Sequence, residues 1–336
     1  MAEIVLVTPK GIFSNVPFLG ISYIAASLEK KGFSVKIIDG TILRIPHKQM
    51  VSLIRKESPK IVGMPVLWES LPDVSSLIKE VKQTCMNLEI VVGGAFITLY
   101  PEIIKSLGIH YGFCGEGEET FPLFADYSIN GTGAINDIPG LVTLKNGEIL
   151  VNPPHYTEDL DALPFPARHL LPNNKYESMY YRRSKISSMI TSRGCVHNCE
   201  GCGYPHPRRI RYRSVENVIR ELEEVTGKYE IKYIEFQDNL FLHDKTRIKK
   251  LCEEIIKKRI KFKWGCISCF DLIEQEFLLG MKKAGCINIV YGPSLGSPRA
   301  RRIMKNLTEE RGIIENIRFC GKIGIRTQIY FHLIED

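Results

Sequence analysis

The sequence lacks the long apolar runs of a membrane protein. None of its 336 residues belongs to a run of the roughly 18 consecutive apolar residues that a transmembrane helix requires. The first residues, MAEIVLVTPKG, have neither the basic flank nor the small-residue cleavage site of a signal peptide. We therefore expect the chain to work in the cytoplasm.

Two common sequence patterns are also missing. No G-x-G-x-x-G follows the first predicted strand, which argues against a nicotinamide or flavin dinucleotide as ligand. Low-complexity sequence and short-period repeats are not evident either. The ten cysteines are not expected to form disulfides in a reducing compartment, so metal binding or buried packing is the better interpretation of them.

The first part of the chain, residues 1–151, alternates short apolar runs with amphipathic helical stretches, which predicts an α/β domain with a parallel sheet. Its predicted strands cover residues 4–8, 34–38, 61–66, 89–92 and 111–114. Small or turn-forming residues come at the ends of four of these strands, where ligands bind in open α/β sheets. The candidate ligand-binding residues at these ends are Thr8, Pro9, Gly63, Gly93, Gly94, Gly115, Glu116 and Gly117. Glycines that merely close strand-to-helix turns are the alternative.

The end of this domain and a linker follow. Residues 141–144 and 148–151 flank Asn146-Gly147, a strong signal for a β-hairpin. Residues 152–185 contain five prolines, and we expect them to form a linker with little regular structure.

The last part, residues 186–336, starts a second β/α alternation. Strands are predicted at 187–191, 233–236, 262–267, 287–291 and 327–333, with amphipathic helices between them. Repeated βα units of this length suggest a partial or full (β/α) barrel, in which chemistry takes place at the carboxyl ends of the strands.

Three cysteines, Cys195, Cys199 and Cys202, directly follow the first strand of this second part. Thiolates at this spacing on one loop can hold three irons of a [4Fe-4S] cluster and leave the fourth iron open for a ligand. The alternative is a closed zinc site completed by His197 or His206, although structural zinc sites more often use paired two-residue gaps. The spacing favours the iron–sulfur cluster.

The cysteine spacing and its place after a strand resemble the signature of the radical S-adenosylmethionine (SAM) superfamily. Four further stretches resemble the cobalamin-binding subgroup of that superfamily, namely residues 115–120, 159–168, 211–214 and 236–241. The resemblance covers nearly the whole chain. It implies an N-terminal Rossmann-like cobalamin-binding-type parallel sheet followed by a partial (β/α)6 radical SAM barrel.

The same resemblance implies three cofactors: a [4Fe-4S] cluster on the three cysteines, SAM on the open iron, and cobalamin on the strand-end loops of the first domain. Asp238, at the end of the second barrel strand, is then expected to line the SAM pocket. The implied activity is reductive cleavage of SAM by a cobalamin-dependent methyltransferase that acts on an unactivated carbon. A radical cyclase or rearrangement enzyme is the alternative within the same class, and a non-catalytic cobalamin-binding or scaffold protein is the alternative outside it.

The sequence departs from the family pattern at several positions. Gly201 stands where an aromatic residue usually precedes the third cysteine, so adenine packing is expected to rely on Tyr204. Cys269 replaces a polar or basic residue, and residues 293–296 replace the usual isoleucine-glutamate-serine-glycine. The chain ends at Asp336, just past a fifth predicted strand, so the barrel of six strands is expected to be incomplete. The Asp-x-His-x-x-Gly sequence that supplies a cobalt-ligating histidine is absent, so the lower cobalt face is expected to lack histidine.

Partners follow from the same argument. We expect a small-molecule or natural-product-like substrate and an external electron donor such as flavodoxin or ferredoxin. Residues 182–213 contain eight basic side chains against Glu200 alone. Such a run could attract an anionic substrate or nucleic acid, but a solvated face or a cluster of local ion pairs is the favoured interpretation. Cys266 with Cys269 forms a second close pair, which we interpret as buried thiols rather than an auxiliary cluster.

Overall fold

The computed structural model of the chain describes residues 1–10, 15–85, 87–197, 202–205, 207–268, 274–295 and 310–331. The chain divides into two compact units, Met1–Lys175 and Tyr176–Asp336. Among the described residues, no helix combines the length and the apolar character needed to cross a bilayer.

A seven-stranded sheet forms the centre of the first unit, in the strand order β2-β1-β3-β4-β5-β6-β7. The first five strands are parallel to one another, and β6 pairs antiparallel with both β5 and β7. The strands are β1 (Ile4–Thr8), β2 (Val35–Asp39), β3 (Ile61–Pro65), β4 (Glu89–Gly93), β5 (Tyr111–Phe113), β6 (Leu141–Lys145) and β7 (Glu148–Val151). The helices are α1 (Leu19–Lys30), α2 (His47–Glu57), α3 (Leu71–Thr84), α4 (Ala95–Leu99), α5 (Ile103–Leu107) and α6 (Thr120–Ala125).

The parallel strands form because they are short apolar runs that become buried on both faces. All five residues of β1 and of β3 are buried, as expected for the central strands of a sheet covered by helices. The order 2-1-3-4-5 is that of a doubly wound fold, whose ligand crevice lies at the carboxyl ends of β1 and β3, where the strand order reverses.

The predicted hairpin is present as β6 and β7. Its turn residues Asn146 and Gly147 have φ values of 52° and 81°, the left-handed conformation that a type I′ turn requires. The proline-rich stretch that follows is ordered against the first unit up to Lys175. Gly115 pairs with His155 through an isolated bridge, and the Ala167 amide donates to the Ser22 carbonyl over 2.9 Å. The division at Lys175 falls inside the predicted linker, whose limits stay a prediction.

The second unit is built on a five-stranded parallel sheet in the order β14-β13-β12-β11-β8. Its strands are β8 (Ile186–Met189), β11 (Tyr233–Phe236), β12 (Lys263–Ser268), β13 (Cys286–Leu295) and β14 (Arg326–Phe331), and the helices are α7 (Val215–Gly227), α8 (Lys245–Lys257), α9 (Gln275–Lys283) and α10 (Glu310–Lys322). A separate antiparallel ladder joins β9 (Ser192–Arg193) to β10 (Arg211–Tyr212). A parallel-rich α/β domain followed by a second parallel β/α unit is the arrangement predicted from the sequence.

One face of this second sheet packs against the helices. Met189, Phe236, Trp264 and Ile289 from successive strands share a core cluster with apolar side chains of α7 and α8. Both helices begin at a side-chain cap, since Ser214 accepts from the Asn217 amide and Asp244 accepts from the Arg247 amide. The packed and capped helices therefore fix the positions of the carboxyl ends of the strands, and the cysteine-bearing segment begins at this edge of the sheet.

Candidate functional site

We call residues 194–210 the cysteine loop. The β9–β10 ladder joins the residues that precede this loop to the residues that follow it. In that ladder, Ser192 pairs with Tyr212 and Arg193 pairs with Arg211. Gly194 follows with a φ of 96°, and a Cβ atom there would collide with the Arg209 carbonyl oxygen. Only glycine fits this position, so the two ends of the loop meet directly beside the first cysteine.

Two of the three predicted ligands lie in the described part of this loop. Cys195 is half-buried and Cys202 is exposed, whereas Cys199 and Gly201 lie outside the described residues. Burial raises the pKa of the Cys195 thiol, and the His197 amide, which donates to its Sγ over 3.4 Å, acts against that increase. The three-cysteine set itself stays a prediction.

Asp238 lies just after β11 and is 1% exposed. Its carboxylate accepts from the Thr191 amide (3.0 Å), the Thr191 hydroxyl (2.7 Å) and the Ser192 hydroxyl (2.5 Å). Burial raises the pKa of Asp238, and the hydrogen bonds from Ser192 and Thr191 oppose that shift. Asp238 therefore holds the strand end from which the cysteine loop starts, while its predicted contact with SAM stays a prediction.

A buried ion pair lies beside this strand end. The side chains of Arg213 and Glu221 are 3% and 0% exposed and form a short salt bridge. Arg213 also donates to the Ile190 carbonyl over 2.7 Å and to the Asn217 side-chain oxygen over 2.8 Å. The pair anchors the segment after β10 to helix α7 and to the end of the first barrel strand.

A second arginine, Arg247 on the first turn of α8, reaches both ends of the loop base. Its guanidinium donates to the Thr191 carbonyl (2.8 Å), the Thr191 hydroxyl (3.1 Å) and the Arg213 carbonyl (3.0 Å). The guanidinium lies 5.2 Å from the Tyr212 ring centroid, and the Tyr212 hydroxyl is 2.9 Å from His243 Nδ1.

The second unit also contains a tyrosine and further cysteines that bear on the sequence predictions. Tyr204 is 54% exposed on the cysteine loop. Cys266 and Cys286 are buried, and burial raises the pKa of both thiols well above the ordinary cysteine value. Cys269 lies outside the described residues. Among the described residues, no group of three or more His, Cys, Asp and Glu side chains is placed to hold a metal ion.

Residues 182–213, which we call the basic segment, include three basic side chains with an acidic partner. Arg183 pairs with Glu177 over 3.2 Å, Lys185 pairs with Glu230 over 3.1 Å, and the buried Arg213 pairs with Glu221. Local ion pairs therefore compensate part of the charge of this segment.

In the first unit, the β1 end is fixed by polar contacts. The Thr8 hydroxyl donates to Asp39 Oδ1 over 2.9 Å, and the Pro9 carbonyl accepts from the Thr41 hydroxyl over 2.7 Å. Gly63 lies inside β3 rather than at its end, and a Cβ atom there would sit 2.7 Å from a methyl carbon of Leu6. Core packing therefore explains this glycine.

Three of the remaining candidate glycines, Gly93, Gly94 and Gly115, lie at or just after the ends of β4 and β5. Gly93 ends β4, and a Cβ atom on it would meet Phe113 at an ordinary 3.7 Å. Gly94 and Gly115 have φ values of 99° and 82° and face the backbone of Val66 and His155 closely. Glycine is required at these two turns whether or not a ligand binds there.

The two residues after Gly115 are held within the unit. Glu116 accepts from the Thr157 amide over 2.9 Å, and a Cβ atom on Gly117 would lie 3.0 Å from Ile24. Neither contact by itself identifies a ligand.

An exposed aromatic group stands at the same carboxyl edge. Trp68, in the loop after β3, is 55% exposed, and its ring centroid lies 4.7 Å from Phe96 and 5.2 Å from Tyr100. Tyr100 is 39% exposed, while Phe96 is buried. An indole held edge-on by two rings gives this edge a rigid apolar surface.

Sequence reasoning missed Arg247, the Arg213–Glu221 pair and Trp68. One sequence signal for the Arg213–Glu221 pair existed. Ser214 marks the start of helix α7 directly after Arg213, and Glu221 is an acidic residue two turns into that helix. A lone arginine on an amphipathic helix gives no such signal, because most exposed helix faces carry charge.

Comparison with known proteins agrees with this geometry. Residues 5–125 match the B12 binding domain family, and residues 189–335 match the radical SAM superfamily. The uncharacterized methyltransferase PH0819 of Pyrococcus horikoshii is 30% identical over 315 residues, covering 92% of this chain and 67% of that protein. The chain therefore belongs to the radical SAM superfamily, in the group whose members carry a B12 binding domain.

Two further proteins are similar. The cytidylyl-2-hydroxyethylphosphonate methyltransferase of Streptomyces wedmorensis is 24% identical, and the alignment covers 93% of this chain and 68% of that protein. The solved structure of the radical SAM methyltransferase TsrM from Kitasatospora setae, with tryptophan and a SAM analogue, has a TM-score of 0.81 at 21% identity; it covers 97% of this chain and 66% of that chain. Its likeness shows the fold. This chain thus spans about two thirds of the length of each of these proteins.

The predicted family and cofactor class are confirmed by these matches. A radical SAM domain implies a [4Fe-4S] cluster and SAM, and the B12 binding domain implies cobalamin.

Proposed function

We propose that this protein is a cobalamin-dependent radical SAM methyltransferase that acts on an unactivated carbon of a small molecule. The observation that carries the proposal is the joint occurrence of a B12 binding domain and a radical SAM domain with its cysteine loop in one chain. When bound, the cluster supplies the electron for reductive cleavage of SAM, and cobalamin supplies a carrier for the methyl group.

The residues of the cysteine loop suit the cluster. Cys195, Cys199 and Cys202 are the proposed ligands, and the two described thiols are a half-buried and an exposed one on the same loop. The His197 amide, which donates to Cys195 Sγ over 3.4 Å, would stabilise a thiolate there. Tyr204, which is 54% exposed on that loop, is proposed to pack against adenine, and Asp238 is proposed to line the SAM pocket from the end of β11.

The carboxyl edge of the first sheet suits cobalamin. The strand order reverses between β1 and β3, where a doubly wound fold binds its ligand, and Trp68 follows β3 directly. The exposed indole offers an apolar surface to a flat macrocycle, and the left-handed turns at Gly94 and Gly115 follow β4 and β5 at the carboxyl ends of those strands. We propose that Thr8, Pro9, Gly63, Gly93, Glu116 and Gly117 complete this edge, with Gly63 acting through packing.

Isotope transfer tests the activity. The full chain, reconstituted anaerobically with iron, sulfide and hydroxocobalamin, is incubated with SAM labelled in its methyl group and with pools of small-molecule acceptors. Label transferred to a carbon of the product, together with 5′-deoxyadenosine, supports the methyltransferase. Deoxyadenosine with an unlabelled, rearranged product would instead indicate a radical cyclase. An intact cluster without SAM cleavage would indicate a non-catalytic cobalamin-binding protein.

Partners and place of action complete the proposal. An external reductant such as flavodoxin or ferredoxin would supply the electron, and the substrate is proposed to be a small or natural-product-like molecule. The need for a reduced cluster supports a cytoplasmic location, and the local ion pairs of the basic segment disfavour nucleic acid as a partner. We propose domain limits of 1–151, 152–185 and 186–336.

A further inference from the structure

The base of the cysteine loop is held from a different part of the chain. Its two ends are tied to each other by the β9–β10 ladder and by the Arg213 amide, which donates to the Thr191 carbonyl over 2.9 Å. Such a ladder of two residue pairs is too short to be stable alone. Additional contacts must fix the base if the loop is to keep one geometry.

Helix α8 supplies these contacts through Arg247. Arg247 Nη2 donates to the carbonyls of Thr191 and Arg213 over 2.8 and 3.0 Å, and Nε donates to the Arg213 carbonyl over 3.1 Å. Thr191 precedes β9 and Arg213 follows β10, so one guanidinium bridges both sides of the loop base. We call this set of bonds the Arg247 clasp.

The clasp is itself anchored in the unit. Arg247 Nη1 donates to the Thr191 hydroxyl over 3.1 Å, and that hydroxyl donates to Asp238 over 2.7 Å. Asp238 follows β11 and Arg247 lies in the first turn of the helix after it, so the second βα unit holds the loop of the first. The planar fork of an arginine can meet two carbonyls and a hydroxyl at once, which an ammonium cannot do in the same geometry.

We propose that Arg247 is a positioning residue for the iron–sulfur cluster: by bridging Thr191 and Arg213, it keeps the two ends of the cysteine loop at the separation that cluster binding needs. Arg247 touches neither the cysteines nor a substrate in this role. The inference rests on the proposed function, because it assumes that the cysteine loop binds the cluster.

Retention of the cluster is the measurement that tests the clasp. Full-length wild type, Arg247→Gln, Arg247→Lys and Thr191→Val are reconstituted with iron and sulfide. Iron per chain, the electron paramagnetic resonance spectrum of the reduced cluster, and the rate of bleaching by a chelator are then recorded. Lys250→Gln is the matched control, since Lys250 lies on the same helix, is exposed, and pairs with Glu216 of α7 over 2.9 Å.

We expect Arg247→Gln to lose its cluster roughly tenfold faster than wild type, because it loses several charge-assisted hydrogen bonds at the loop base. The rate of cluster loss in Arg247→Lys should lie between those of wild type and Arg247→Gln. Thr191→Val should also lose its cluster faster than wild type, and Lys250→Gln should lose it at the wild-type rate. The reduced spectrum of Arg247→Gln should be broadened, since loosened ligands give the cluster more than one geometry.

Equal cluster retention and an unchanged spectrum in Arg247→Gln would overturn the proposal. Circular dichroism and thermal unfolding of the apoproteins separate loop geometry from global folding. If Arg247→Gln does not fold, Thr191→Val decides, and wild-type retention in that variant would overturn the proposal as well. Wild-type protein that forms no cluster would instead refute the proposed function.

Discussion

Loss of the buried charge on Arg213 should destabilise the second unit strongly. The side chains of Arg213 and Glu221 are 3% and 0% exposed, so Arg213→Met leaves a carboxylate in the core without its cation. Removing one partner of a buried ion pair typically costs about 3–5 kcal/mol in the free energy of unfolding. The variant also loses the bonds from Arg213 to the Ile190 carbonyl and to Asn217, which places the expected cost in the upper part of that range.

Tryptophan fluorescence can follow this effect in one unit. The chain has two tryptophans, and Trp68→Phe leaves Trp264, which is buried in the second unit against Phe236 and Phe241. Urea unfolding of Arg213→Met in that background should show a lower midpoint with a similar slope.

A double variant and a surface control sharpen the test. Arg213→Met with Glu221→Leu should regain most of the lost stability, because replacing both ions by apolar groups removes the unpaired charge. Lys250→Met, which breaks an exposed pair, should leave the midpoint unchanged. An exposed ion pair contributes up to about 1 kcal/mol. If Arg213→Met lowers the free energy of unfolding by less than that, the ion pair is not a buried, essential one.

Three further predictions concern the first unit. Gly115→Ala should lower its stability by roughly 1–2 kcal/mol because a left-handed backbone is unfavourable for alanine and its methyl group would approach His155; unchanged thermal unfolding would contradict this. Burial raises the pKa of Cys114 from 9.0 to about 11, so the stability that its neutral thiol contributes is present below pH 9 and is lost as the pH rises toward 11. Alkaline unfolding of Cys114→Ala should therefore show a weaker pH dependence than wild type over that interval, and an equal dependence would count against the buried neutral thiol. Trp68→Ala should weaken hydroxocobalamin binding by roughly three- to tenfold in an absorbance titration, the loss expected for one aromatic contact, whereas Leu150→Ala on the exposed hairpin should not change it.

The sequence predicted those elements whose pattern is local. β1 and β11 occur at the predicted limits, and the hairpin follows from Asn146-Gly147, because apolar runs and turn residues determine these structures by themselves. β7 also occurs at its predicted limits, and in each of the other predicted strands at least one end differs by one to four residues, because strand ends depend on the partner strand.

Features that depend on distant partners were not predictable. The β9–β10 ladder joins two pairs of polar residues on either side of the cysteine loop, and neither pair has the alternation of a strand. The clasp joins Arg247 to residues 34 and 56 positions away, a relation that no spacing rule shows. Gly63 was predicted at a strand end, yet it is the third residue of β3.

The cysteine loop was identified because its signal is chemical and local. Three thiols at short spacing after a strand indicate a cluster ligand set, whatever the rest of the fold. The role of Gly194 became visible only in three dimensions, where its positive φ and the nearby Arg209 carbonyl exclude any side chain.

Metal analysis of the reconstituted full chain is the strongest test of cluster binding by the three cysteines. The proposed function predicts a brown protein with about four iron and four sulfide per chain, and loss of both in a variant with alanine at Cys195, Cys199 and Cys202. A colourless protein that contains zinc, or a cluster that survives the triple substitution, would contradict it.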